Sequence, residues 1–292
     1  MNKFGNMQNM NLHPYIRLTR LHRPIGVWLL MFPCWWGLAL ASPSFPSIGL
    51  LILFTCGAFL MRSAGCVYND MIDQDFDRHV TRTASRPLAS KEIGPQGALI
   101  VLGILLAVSA IILFNLPYPT ILTGFGALGL VFLYPWMKRI TYWPQLFLGF
   151  TFNIGILMGW LCLKPNLTPL PFLFYGGGIL WTLGYDTIYA FQDRQDDLLV
   201  GVKSSALAVS KSPKLFLSLV YGGALLLWGV GGILADLGRN YWVLFGIIAL
   251  HFIWQILTLN INSPSNCLKR FNSNKFIGLL LFLAIVFSRL ID

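Results

Sequence analysis

Nine apolar runs recur along the 292-residue chain, at about 24–42, 47–68, 97–115, 118–137, 143–163, 170–190, 215–235, 241–259 and 276–291. Each approaches the roughly 20 residues that an α-helix needs to cross the hydrocarbon core of a bilayer. Length alone would admit two soluble domains. A chain that is 56% hydrophobic and 11% charged, with a mean hydropathy of +0.67, belongs mostly in lipid instead. The expected fold is an all-α integral membrane bundle of nine transmembrane helices around a central cavity. It forms a single polytopic domain over residues 1–292 with no internal boundary.

The 21 Lys and Arg against 11 Asp and Glu give a net charge of +10. These cations follow the loops and do not form the stripe that a nucleic-acid surface needs. With residues 1–23 as a cytoplasmic N-terminal segment, all of them except Lys164, Arg239 and Arg289 fall on the inner side. The positive-inside rule then sets the N-terminus in the cytoplasm and the C-terminus outside. Lys3, Arg17, Arg20 and Arg23 precede a first run too long for a signal h-region and without a small-residue cleavage pattern, so that span is expected to remain as an anchor. The lack of a transit peptide favours a bacterial inner membrane over a mitochondrial one. Cys34, Cys56, Cys66, Cys162 and Cys267 form no CxxC pair and read as small buried hydrophobes. His13, His22, His79 and His251 have no ligand spacing and read as structural.

Eight of the eleven acids lie in two clusters, Asp70, Asp73, Asp75 and Asp77, then Asp186, Asp193, Asp196 and Asp197. In lipid a carboxylate is costly unless it has a cation to bind. The clusters begin at the inner ends of the second and sixth spans, four helices apart. That separation suggests a duplicated four-helix module with a ninth helix appended, and predicts that these two spans approach each other across the cavity. The intervening loops at 70–96 and 191–214 are too short for domains and are expected to cap a mouth that opens to the cytoplasm. Arg86-Pro87, Gly94-Pro95 and Gly201 mark their turns.

The first cluster follows the pattern NDxxDxxxD. On a helix Asn69, Asp73 and Asp77 stand four apart, and Asp70 joins the same side at a spacing of three. Asp193 and Asp197 repeat the spacing of four, which leaves Asp75 and Asp196 as bystanders. Carboxylates this close repel unless a divalent cation sits between them. An all-oxygen set without His or Cys favours Mg2+, which completes its shell with water and substrate phosphate. Two such faces across a cavity suit a diphosphate held between metal ions, its growing charge stabilised as a carbon–oxygen bond breaks. The competing reading is a solvated loop balanced by Arg78, Arg82, Arg86, Arg194 and Lys203; equal spacing at two matching helix ends argues against it.

The segments NDMIDQDFD at 69–77, RTASRPLAS at 82–90, YPWMKR at 134–139 and YDTIYAFQDRQDDLLVGVKSSA at 185–206 resemble those of the UbiA family of intramembrane prenyltransferases, most of all its 4-hydroxybenzoate branch. The resemblance implies that Asn69, Asp70, Asp73 and Asp77 with Asp193 and Asp197 hold two Mg2+ ions and the prenyl diphosphate. Catalysis would then depend on Asp73, Asp77, Asp193 and Asp197. It also implies transfer of a polyprenyl group from polyprenyl diphosphate to the ring carbon ortho to the hydroxyl of 4-hydroxybenzoate, an early step of ubiquinone biosynthesis. Naphthoate, homogentisate or haem as acceptor stays open within the family. A cation-coupled transporter is the reading from another class, and it calls for acids near the bilayer midplane, whereas these lie at one end.

Arg82 and Arg86, four apart, offer two guanidinium forks to a diphosphate, and Arg139 and Lys203 at inner span ends suit the same role. Inner loops require basic residues in any case. Arg62 lies two turns before Asn69 on the same face and points into the cavity, toward either the diphosphate or the carboxylate of an aromatic acid. Asp186 stands seven residues before Asp193, to orient the acceptor hydroxyl or to pair with Arg62. Tyr189, one turn from both acids, is placed to stack on an allylic cation or to bond the phosphate, with core packing as the alternative. The expected partners are the two substrates and the bilayer, with no nucleic acid. Protein partners, isoprenoid length and oligomeric state leave no trace in the sequence.

Overall fold

A computed structural model describes residues 13–290; the start of the N-terminal segment, with Lys3, lies outside the described residues. Every regular element among the described residues is helical. They are α1 (Pro14–Leu18), α2 (Ile25–Ala41), α3 (Ile48–Asp77), α4 (Pro95–Phe114), α5 (Tyr118–Ile140), α6 (Pro144–Asn153), α7 (Gly155–Leu161) and α8 (Pro169–Ala190). A 3-10 turn (Phe191–Asp193) leads into α9 (Arg194–Val200), α10 (Ser205–Ala208), α11 (Pro213–Leu234), α12 (Arg239–Leu257) and α13 (Pro264–Leu290). Proline opens α1, α4, α6, α8, α11 and α13, the position where its fixed φ suits a helix and its missing N–H costs nothing.

All nine apolar runs are helical. Among the described residues seven stretches are long and apolar enough to cross a membrane: α3, α4, α5, α6 with α7, α11, α12 and α13. The chain is thus a multi-pass membrane protein. The two runs outside that set are α2, which is short at 17 residues, and α8, whose 22 residues include three consecutive glycines, tyrosines and Asp186.

Three boundaries differ from the sequence reading. The second span does not stop near residue 68; α3 continues unbroken to Asp77, so the helix expected for the first acid motif is the end of the span itself. No Pro or Gly interrupts 69–77, and the cations described below compensate the acids. The ninth run begins at Pro264, twelve residues early, because Arg270 and Asn274 lower its hydropathy yet lie on its buried face. The fifth is broken at Ile154 into α6 and α7. Cys56 also departs from expectation, being exposed on α3.

Sequential contacts run α2–α3–α4–α5–α6, then α8–α11–α12–α13 and back to α2, which closes a ring around the cavity. The broken fifth span packs tightly on α2. Gly155 and Gly159, four apart, face Cys34, Gly37 and Leu38, and a Cβ at Gly37 would lie 2.1 Å from the Ile156 carbonyl oxygen. Small residues at that spacing let two backbones approach within lipid, where the hydrophobic effect does not draw helices together. On the other side a buried polar network anchors α8. Trp181 Nε1 donates to Asn274 Oδ1 at 2.8 Å, Asn274 and Gln255 bond each other, and Tyr221 donates to Gln255 at 3.1 Å. Away from water such groups persist only when satisfied, so the network fixes the register of the helix that leads to the second motif.

Candidate active site

The ring encloses a cavity of about 1790 Å³, larger than the roughly 300–1,000 Å³ of a drug-sized site. The C-terminal end of α3, the loop 78–94, the 3-10 turn and α9 form its charged mouth. From there it runs between α4 and α5 along Leu106, Leu113, Phe125, Leu128 and Val131, an apolar wall that reaches the opposite end of α4. As expected, the second and sixth spans, α3 and α8, face each other across it.

At the mouth both motifs are held in ion pairs. Asp70 and Asp73 are each 1% exposed. Asp70 accepts from Arg20 and Arg86, and Asp77 accepts from Arg86 Nη1 at 2.6 Å. Asp73 pairs with Lys138, and its buried Oδ1 has no hydrogen-bond partner. Asp193 receives a two-pronged contact from Arg82, Nε at 2.6 Å and Nη2 at 2.5 Å, while Arg82 Nη1 donates to the Tyr189 hydroxyl at 2.8 Å. Arg82 therefore ties the loop after the first motif to the second one. The Tyr189 ring centroid is 5.2 Å from that guanidinium carbon and 4.5 Å from the Phe271 ring of α13. Asp197, in α9 outside the spans, has its carboxyl pushed up to about 6, first by burial and then by the Asp193 carboxylate. A divalent cation would relieve that repulsion.

Of the site residues read from the sequence, Asn69, Asp70, Asp73, Asp77, Asp193, Asp197, Arg82, Arg86, Lys203, Arg62, Asp186 and Tyr189 all line the cavity. Arg139 does not. It donates to the Ile72 carbonyl, lies over Trp136 and Phe76, and brings Nη2 to 3.9 Å from Asp73 Oδ1. On α5 the cavity face carries Tyr134 and Lys138, four apart, and Arg139 sits one residue, about 100°, round from it. Asp196, read as a bystander, lines the mouth, whereas Asp75 is exposed beside Arg78. The second acids also do not continue α8, since the chain tightens into the 3-10 turn at Phe191 and Asp193 stands just before the first residue of α9. Sequence reasoning missed Lys138, Tyr134 and the N-terminal Arg20; the four-residue spacing of Tyr134 and Lys138 was the available signal.

Deeper in the cavity Arg62 and Asp186 form no ion pair among the described residues. The Arg62 guanidinium contacts Cys66 one turn on, and its Nε is buried without an acceptor. It occupies a slot left by Gly26, where a Cβ would lie 2.1 Å from Nε. A half-buried guanidinium whose Nε finds no acceptor leaves this slot open to an anionic ligand.

The UbiA prenyltransferase family model matches residues 30–286. The chain is 46% identical over 285 residues to the Homo sapiens protein named 4-hydroxybenzoate polyprenyltransferase, mitochondrial, across 96% of this chain and 76% of that one. The apo structure of a UbiA homologue from Aeropyrum pernix K1 is similar with a TM-score of 0.76 at 24% identity, covering 89% of this chain and 96% of that one. A UbiA homologue from Archaeoglobus fulgidus bound to GPP and Mg2+ gives 0.67 at 17%, covering 94% and 99%. Fold and site together define an intramembrane helical bundle whose two acidic motifs meet over one cavity. The chain belongs to the UbiA prenyltransferase family.

Proposed function

We propose that this protein transfers a polyprenyl group from polyprenyl diphosphate to the ring carbon ortho to the hydroxyl of 4-hydroxybenzoate, an early step of ubiquinone biosynthesis, with Mg2+ as cofactor. The reading is carried by the meeting of both acid motifs at the mouth of one cavity with a long apolar wall. The acceptor is supported by the 46% identity to a protein named for it.

Among the described residues no three carboxylate, His or Cys side chains converge as a ready-made metal cluster, because the acids are turned onto Arg and Lys. The donors nevertheless suit a hard cation. They are all oxygen, and Asp73 Oδ1 is buried without a hydrogen-bond partner. Asn69, Asp73, Asp77, Asp193 and Asp197 would hold Mg2+. Bound there, it supplies charge neutralisation for the departing diphosphate.

Arg82 and Arg86, with Lys138 and Lys203 beside them, bind the diphosphate oxygens. The allylic carbon–oxygen bond breaks, the diphosphate leaves with the electron pair, the allylic carbon bonds to the ring, and the ring gives up its proton. Tyr189, held by Arg82 and Phe271, turns an aromatic face to the developing positive charge. Arg62 takes the acceptor carboxylate in its slot. Asp186 receives the acceptor hydroxyl's hydrogen bond and takes up the released proton. The apolar wall lodges the isoprenoid tail and excludes the water that would otherwise capture the cation.

Purified protein given Mg2+, a polyprenyl diphosphate and 4-hydroxybenzoate is expected to form the 3-polyprenyl acid. Product from naphthoate or homogentisate alone would move the acceptor, and cation flux without product would favour the transporter reading. Gly26→Ala separates the two uses of Arg62. Filling the slot displaces the guanidinium and removes a charged hydrogen bond worth about 1.5–3 kcal/mol, so KM for 4-hydroxybenzoate should rise at least about tenfold. KM for the diphosphate should stay within about twofold; an equal rise in both would put Arg62 on the diphosphate.

The same reading sets nine spans in the bilayer, with the N-terminus and the cavity mouth on the cytoplasmic side of a bacterial inner membrane. The Homo sapiens relative is named mitochondrial, so the compartment rests on fractionation, and the orientation on labelling Lys91→Cys from either face.

A further inference from the structure

We infer that Asp70, although it stands inside the acid motif, is a positioning residue that clamps the N-terminal elbow over the cavity mouth and takes no part in holding metal. Both its oxygens are committed to arginine, as those of Asp193 are to Arg82, but the Asp70 side chain is 1% exposed against 15% for Asp193, and its arginines number two. Oδ1 lies 2.7 Å from Arg20 Nη2 and 3.1 Å from Arg86 Nη1, and Oδ2 lies 3.0 Å from Arg20 Nη2. The two guanidinium groups come from different segments, residues 13–24 and the loop 78–94, and Asp70 on α3 is where they meet. Asp73, three residues on, differs, with one buried carboxylate oxygen that accepts no hydrogen bond and has only Arg139 Nη2 at 3.9 Å.

The elbow is built around that clamp. Arg20 has φ +58°, a left-handed conformation that a non-glycine residue keeps only where its surroundings over-determine it. Leu18 is fully buried against Val67, Leu88, Ile93, Ala98 and Leu102, and Arg17 pairs with Glu92 while facing the Ser85 carbonyl. Apolar plug and outer ion pair hold the first half of the elbow. The second half, which carries Arg20 and Arg23 to the cavity lining, is held by Asp70. The carboxylate also steadies Arg86, whose Nη1 is shared with Asp77. Asp70 thus roofs the mouth and aims a basic residue of the site.

The functional half of this inference rests on the prenyl-transfer reading; the clamp does not, and the two are tested separately. Hydrogen exchange is measured on the full chain in lipid nanodiscs without metal or substrate, for the parent, Asp70→Asn, Arg20→Ala and the double variant. Amides of residues 15–23 are expected to exchange at least about tenfold faster in both single variants, with no further gain in the double variant and no change at 63–69 of α3. Unchanged exchange at 15–23 in Asp70→Asn overturns the clamp. If Asp70→Asn does not fold, Arg20→Ala on the half-exposed elbow carries the same test. The half-saturating Mg2+ concentration for prenyl transfer is expected to stay within about twofold of the parent in both variants while kcat falls. A tenfold rise in Asp70→Asn alone would return Asp70 to the metal set.

Discussion

Asp73→Asn is expected to lower prenyl transfer about a thousandfold, a loss of about 4 kcal/mol in transition-state stabilisation. The substitution keeps the shape of the side chain but removes the charge that would fix the cation against the diphosphate, and groups of this kind act in a site from which water is excluded. It also leaves the half-buried Lys138 ammonium beside a neutral amide, so some loss of stability is expected with it. Adding Lys138→Met removes the stranded ammonium. The double variant should recover much of the melting temperature and none of the activity. Activity within tenfold of the parent in Asp73→Asn would take this residue out of the metal set.

Gly159→Val is expected to be the most damaging change in the scaffold. A Cβ there would lie 2.4 Å from the Cys34 carbonyl oxygen and 2.8 Å from the Leu38 amide nitrogen, both backbone atoms of α2 that have no rotamer to change. Overpacking costs about 1–3 kcal/mol and occasionally more when neighbours can shift. Here the helices themselves must part, and with them the α2 wall that carries Gly26. A drop in melting temperature of roughly 10 °C is expected, at about 2–4 °C per kcal/mol for a chain of this size. Gly103→Val, whose Cβ meets nothing within 4 Å, is the matched control. Equal behaviour of the two would mean that the close approach of α2 and α7 does not hold the bundle.

Where a physical signal was periodic and local, the sequence carried it well. Apolar runs located all nine helical stretches, and the four-residue spacing of Asn69, Asp73 and Asp77 placed them on one cavity-lining face. Hydropathy failed where a helix is lined with polar groups that find partners inside the bundle. The motif end of α3 and the start of α13 both read as lying outside their spans because a window average does not know that Asp70 meets arginine or that Asn274 meets Trp181. Lys138 and not Arg139 lines the cavity, a difference of helical phase by one residue, while Arg139 still comes within 3.9 Å of Asp73 Oδ1. The elbow at Arg20 was out of reach for a different reason. Its partner Asp70 lies fifty residues away, and nothing local announces a contact made only after the loop 78–94 has folded back.

The ion pairs at the mouth also bear on the order of binding. Asp73 with Lys138, Asp77 with Arg86, and Asp193 with Arg82 leave the ligand-free site close to locally neutral. A metal ion entering alone takes the carboxylates and strands three cations; a diphosphate entering alone takes the cations and strands three carboxylates. When both arrive, every charge is paired again. Under the proposed function the two therefore bind synergistically, and by thermodynamic linkage the factor by which the diphosphate tightens Mg2+ equals the factor by which Mg2+ tightens the diphosphate.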